Sequence, residues 1–191
     1  YLLSLEIINI DSINLKGITP LHISAMKGNF DIFKSLLSYN ACPLILDKKN
    51  RSIVHYSIKS SCYEIFDYII QNKLTYPFQI DANNFTPFHY AAASPDIRFL
   101  TNLASIEPEI NKTSLINDAK CGFAPLHIAC KHKLYENVNF IILHELSDPL
   151  VENCYNQNAL HIAARSSNFK LLSFLLEGNV YDISICDQDG V

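Results

Sequence analysis

Seven histidines stand in this chain of 191 residues, and five of them sit in versions of one phrase: His22 in "TPLHISA", His55 in "SIVHYSI", His89 in "TPFHYAA", His127 in "APLHIAC" and His161 in "NALHIAA". An imidazole that recurs in this way could ligate a metal, carry a proton or hold backbone. Metal ligands must converge on one ion at about 2.0–2.1 Å. Equivalent residues on neighbouring stacked helices lie roughly 8–10 Å apart, so these histidines cannot share an ion. A histidine three residues past a helix cap can instead hydrogen-bond the backbone at the helix start and across the turn, and His22, His55, His89, His127 and His161 are read as structural. His132 and His144 have no cysteine or carboxylate at metal spacing and read as surface residues.

Nothing else in the chain assembles a catalytic constellation. Five glycines form no G-x-x-x-x-G-K phosphate loop and no G-x-S-x-G elbow. The six cysteines (Cys42, Cys62, Cys121, Cys130, Cys154 and Cys186) form no C-x-x-C pair, so neither a zinc site nor a disulfide framework is indicated, and reduced thiols in a cytoplasmic setting are expected. No enzymatic activity, cofactor, metal or small-molecule substrate is expected.

With 49% hydrophobic residues and a net charge of −4, the chain can bury a sizeable core and carries no global field for nucleic acid. Apolar runs such as "YIIQ" and "FIIL" are far shorter than the roughly 18–20 residues of a membrane span, and no charged-then-apolar leader opens the sequence. Membrane insertion is not expected.

The elements that position the histidines follow from their spacing of 33, 34, 38 and 34 residues, a period typical of stacked repeats. Thr19 and Thr86 can cap a helix, with Pro20, Pro87 and Pro125 at the first turn, where a missing N–H costs nothing. Small residues follow, then a break near Gly28, Ser61, Pro95, Lys133 or Ser167. Second amphipathic runs come next: 30–37, 63–70, 97–104, 135–142 and 169–176. Polar segments such as "NLKG", "DKKN" and "DANN" suit tight turns with left-handed Gly or Asn. "GITPLHISAMKGNFDIFKSLL", "GFAPLHIAC" and "ALHIAARSSNFKLLSFLL" together resemble the ankyrin repeat family, and the resemblance runs through essentially the whole chain. It implies an all-α solenoid of stacked helix-turn-helix units with projecting hairpin-like loops. Five repeats are expected at 14–46, 47–80, 81–118, 119–152 and 153–186, with 1–13 ending an earlier repeat and 187–191 opening a later one, as a window cut from a longer array. The second copy departs most, with Ser52-Ile53-Val54 for Thr-Pro-Leu, and its helix start is expected to be the least firmly specified.

The resemblance also implies where a partner binds: on the concave surface, at positions seven, six and four residues before each histidine and four and five after it. Those 25 positions include Lys16, Met26, Lys27, Lys48, Lys49, Arg51, Lys59, Phe85, Lys120, Phe123, Lys131, His132, Tyr155 and Arg165. They hold nine of the 15 basic residues and none of the 19 acidic ones, where random placement would give about two basic and two or three acidic. Two readings stay open, a basic binding stripe with Phe85, Phe123 and Tyr155 as anchors or a solvated face inherited from the family. The long spacing between His89 and His127 places extra residues in 105–120, either a tolerated insertion or a partner-specific bulge. The leading expectation is a non-enzymatic scaffold that binds a protein partner through an acidic segment. Its rivals are the regulatory or substrate-recruiting arm of a larger enzyme, channel or effector, and a docking module on a polyanionic lattice such as microtubules, with cytoskeletal association. Nucleic acid is the weakest partner.

Overall fold

A computed structural model describes residues 9–106 and 120–177. The expected segments 1–8, most of the insertion 105–120, and the chain from residue 178 onward lie outside the described residues. Among the described residues there are helices and turns and no β-strand. The helices come in pairs: α1 (Pro20–Lys27) with α2 (Phe30–Ser38), α3 (Ile53–Lys59) with α4 (Tyr63–Gln71), α5 (Pro87–Ala92) with α6 (Arg98–Ile106), α7 (Pro125–Lys131) with α8 (Tyr135–Leu143), and α9 (Ala159–Arg165) with α10 (Phe169–Glu177).

Contacts divide the chain into two units, residues 1–83 and 84–191. In the first, α1 packs on α2 and α3, and α4 packs on α2 and α3. Its core is Leu21, Phe33, Ile53, Ile58, Ile65, Phe66 and Ile69, all shielded from solvent. In the second, α7 packs on α5, α8 and α9, α5 also packs on α6, and α10 on α9. Phe99, Leu100, Leu103, Leu126, Val138, Ile141 and Leu171 fill that core. A helix of seven to nine residues is too short to persist alone, so this interhelical burial is what holds each pair.

Backbone handedness repeats with the histidines. Five residues before each one, the chain turns through the left-handed region, at Gly17, Asn50, Asn84, Gly122 and Asn156, where Gly and Asn are tolerated best. Gly17 is also demanded by proximity, because a Cβ there would lie 2.8 Å from the Lys48 backbone nitrogen. Six residues after the histidine the break is left-handed again at Gly28, Ser61, Lys133 and Ser167. Pro95 occupies that position in the third copy, and its ring locks φ near −65°. There the end of α5 is closed differently: buried Asn137 on α8 donates its side-chain amide to the carbonyls of Ala92 and Ser94 at 3.2 and 2.7 Å.

Candidate functional site

The histidines are helix-start braces. In α1, the Thr19 and His22 side chains form a reciprocal capping box: the His22 N–H donates to Thr19 Oγ1 at 3.3 Å, and Thr19 Oγ1 lies 2.8 Å from His22 Nδ1. The cap residue's backbone N–H donates to the ring in every copy: Ser52 to His55 (3.1 Å), Thr86 to His89 (3.0 Å), Ala124 to His127 (3.1 Å) and Asn158 to His161 (3.3 Å), with a longer 3.4 Å approach from Thr19 to His22. A backbone N–H can only donate, so Nδ1 is the acceptor and the proton resides on Nε2. The Nε2–H of His22 faces the Arg51 and Ile45 carbonyls, and that of His127 faces those of Gln157 and Val151, outside regular hydrogen-bond geometry. These are the same two positions, four and ten residues before the next histidine, so His22 and His127 each brace their own helix and reach toward the next loop. Burial lowers the pKa of His22 and takes His127 down to about 4. The Ser52 start of α3 keeps the bond from the cap backbone to the imidazole and sets the Ser52 hydroxyl 3.1 Å from His55 Nδ1, but it lacks the bond from the helix N–H to the cap side chain that Thr19 accepts in α1.

Successive loops are joined by one recurring bond. The residue seven before a histidine donates its N–H to the carbonyl of the residue six before the preceding histidine: Lys48 to Lys16 at 3.0 Å, Ala82 to Lys49 at 2.8 Å and Cys154 to Cys121 at 2.8 Å. In the first unit this rung places Lys48 on Lys16 beside Lys49, all three exposed, with exposed Met26, Lys27 and Lys59 at the ends of α1 and α3.

Arg51 behaves otherwise. Its guanidinium forms an ion pair with Asp47 at 2.6 Å, donates to the Tyr56 hydroxyl at 2.8 Å and lies 4.9 Å from the centre of the Tyr56 ring. Burial alone would raise the Asp47 carboxyl, but Arg51, the Tyr56 hydroxyl and the Arg51 and Lys49 backbone N–H groups hold it down at about 2. The charge of Arg51 is thereby neutralised at a helix start, a spacing of four residues that a count of surface charges does not reveal.

In the second unit Phe85 is half-buried and stacks on the His89 ring at 5.0 Å, which makes it a wall of its own repeat more than a projecting anchor. Lys120 opens a short 3-10 turn, Lys120–Gly122, and His132 is exposed at the end of α7. Phe123 lies with its ring 6.0 Å from that of His127 and 6.4 Å from that of Tyr155. Phe123, Tyr155, Lys131 and Arg165, four residues named from the sequence, line one cavity of about 800 Å³ together with Lys133, Gln157, Ile162, Ser166 and Ser167. That volume lies within the range of ligand pockets, roughly 300–1,000 Å³. No carboxylate lines it, and among the described residues Lys131, Lys133 and Arg165 have no acidic partner. Lys133 sits at the left-handed break and not at a position that the family resemblance marks for contact, so the repeat pattern gives no signal for it.

Among the described residues no three histidine, cysteine or acidic side chains gather as a metal site, and no helix is long and apolar enough to cross a membrane. Short paired helices, repeated along the chain and joined within each unit by the same loop-to-loop bond, define a helical repeat module. Ankyrin repeats, in three copies, match residues 1–78 and 88–189, and the chain belongs to the ankyrin repeat family, whose repeats are non-catalytic protein-interaction modules. It is similar to the tyrosine-protein kinase Shark of Drosophila melanogaster (26% identical over 88% of this chain and 14% of that protein). It is also similar to palmitoyltransferase AKR1 of Lachancea kluyveri (31%, over 66% and 17%) and to the human transient receptor potential cation channel subfamily A member 1 (26%, over 95% and 16%). The match therefore spans less than a fifth of the length of each relative.

Proposed function

We propose that this chain docks an acidic segment of a partner protein on its loop-tip and first-helix side. The observation that carries the reading is the cavity of the second unit, where Phe123, Tyr155 and Ile162 offer apolar surface and Lys131, Lys133 and Arg165 offer charge with no carboxylate among them. A peptide with an aromatic or branched residue between acidic ones meets both demands: the apolar side chain is taken out of water against the rings, and the flanking carboxylates reach the three cations. In the first unit, Lys16, Lys27, Lys48, Lys49 and Lys59 supply a second basic surface that steers an acidic partner more than it adds affinity. Arg51 is excluded from this role by its pairing with Asp47. The reading includes a cytoplasmic setting, since reduced thiols suit the chain.

The test is anisotropy of a fluorescent peptide of alternating Glu and Phe, titrated with the chain and with the Lys131→Glu, Arg165→Glu double variant. Saturable binding that weakens with salt and is lost in the variant supports the reading; binding unchanged by the charge reversal ends it. The same titration against microtubules and duplex DNA separates a partner peptide from a polyanionic lattice. A second reading, a recruiting or regulatory arm of a larger enzyme, channel or effector, is favoured by the small share of the kinase, palmitoyltransferase and channel relatives that the match covers. The two are compatible, because such an arm needs the same docking surface.

A further inference from the structure

The rung that joins successive loops carries Lys48 on Lys16 and Ala82 on Lys49, but at its occurrence between residues 121 and 154 both partners are cysteines. An N–H···O=C bond of 2.8 Å between two residues holds their α-carbons about 5–6 Å apart, within the roughly 4.4–6.8 Å span of protein disulfides. Both residues are exposed thiols, and desolvation together with the nearby Cys121 raises the Cys154 thiol above its ordinary range. Cys130, in the same unit, makes a useful contrast: it is buried in α7, and its thiol is pushed up to about 12 by desolvation, so it is inert. We propose that Cys121 and Cys154 form a vicinal dithiol that is modified as a pair, taking a small-molecule disulfide or hydroperoxide as its oxidant and closing to one intramolecular disulfide.

With oxidised glutathione as that oxidant, the thiolate of one cysteine attacks a glutathione sulfur, forming a mixed disulfide and releasing one glutathione thiolate. The second cysteine's thiolate then attacks the protein sulfur of that mixed disulfide, forming the Cys121–Cys154 bond and releasing the second glutathione. Two protein thiols are oxidised, one disulfide is reduced, and the two thiol protons pass to the departing glutathione thiolates. The attacking species in each step is a thiolate, so the reaction quickens as pH rises. Closure is fast, since the rung supplies the attacking sulfur at high effective concentration. Phe123 and Tyr155, which line the cavity, stand two residues and one residue from the two sulfurs. A covalent staple would therefore fix the backbone that carries one wall of the proposed docking pocket. The dithiol assignment itself does not depend on the docking reading.

The test is oxidation of the reduced full chain with oxidised glutathione at mildly alkaline pH, followed by blocking of residual thiols and peptide mapping without reductant. The expected product is a cross-linked peptide pair joining Cys121 to Cys154, two hydrogens lighter than the separate peptides and abolished by reductant. In Cys154→Ser the cross-link is lost and Cys121 accumulates as the glutathione mixed disulfide, while helical content by circular dichroism is unchanged. Separate mixed disulfides at both sulfurs of the unsubstituted chain, pairing of either sulfur with another cysteine, or no reaction at either position would each overturn the assignment.

Discussion

His127 offers a quantitative handle on the architectural role of the repeated imidazole. It is fully buried, its Nδ1 accepts the Ala124 backbone N–H at 3.1 Å, and desolvation takes its pKa from 6.5 to about 4. In the unfolded chain the ring protonates near 6.5; in the folded chain it stays neutral until about pH 4. Between those values the unfolded state binds the extra proton, so stability falls as pH falls. The contribution is complete above pH 6.5 and fully lost below pH 4, a difference of about 3 kcal/mol in all and of about 1.4 kcal/mol between neutral pH and pH 5.5. His127→Asn keeps an acceptor near the Ala124 N–H but cannot titrate. At neutral pH it should lose about 1 kcal/mol through imperfect capping. From neutral pH to pH 5.5 it should then lose about 1.4 kcal/mol less than the unsubstituted chain. Urea unfolding followed by circular dichroism at the two pH values measures both quantities, and the double difference removes the titration of the other histidines. Equal pH dependence in the two proteins, or an NMR titration placing His127 at or above 6.5, would refute the assignment of a buried, neutral brace.

Further outcomes follow from the same geometry. Asp47→Ala should destabilise the first unit by about 2–4 kcal/mol, because it removes the carboxylate that pairs with the Arg51 guanidinium and leaves the Lys49 and Arg51 N–H groups without their acceptor; urea midpoints report it. In the intact chain, the Asp47 contribution is present above about pH 4 and is lost as pH falls toward 2, since its folded pKa is about 2 against an ordinary 3.8. Gly17→Ala should cost about 2–3 kcal/mol, from left-handed strain and from a Cβ driven to 2.8 Å from the Lys48 nitrogen, visible as a lowered thermal midpoint. Asn137→Ala should cost about 1–3 kcal/mol by withdrawing the donor from the Ala92 and Ser94 carbonyls, with hydrogen exchange accelerated first at the end of α5.

Much of the fold is written locally. The helix starts are legible because cap, proline and histidine chemistry act within three residues, and the turns at Gly17, Asn50, Asn84, Gly122 and Asn156 are legible because only residues that tolerate positive φ recur there. Ser61, Lys133 and Ser167 adopt the same handedness without announcing it, since the helix-to-helix break forces whatever residue stands there. By position Arg51 counts as a contact residue, yet its ion pair with Asp47, four residues away, absorbs the charge. The meeting of Phe123, Lys131, Tyr155 and Arg165 at one cavity, and of Cys121 with Cys154, depends on how neighbouring loops are offset by one residue along the rung. A period says that two loops stack; it does not say which residue faces which.

The claim that the second unit's basic and aromatic cavity docks an acidic segment is tested most directly by the affinity of the Glu and Phe peptide for the unsubstituted chain and for the Lys131→Glu, Arg165→Glu variant at low salt. Binding at the cavity predicts a drop of about tenfold or more on reversing the two charges, with a shallower salt dependence. Equal affinity for the two proteins would contradict it.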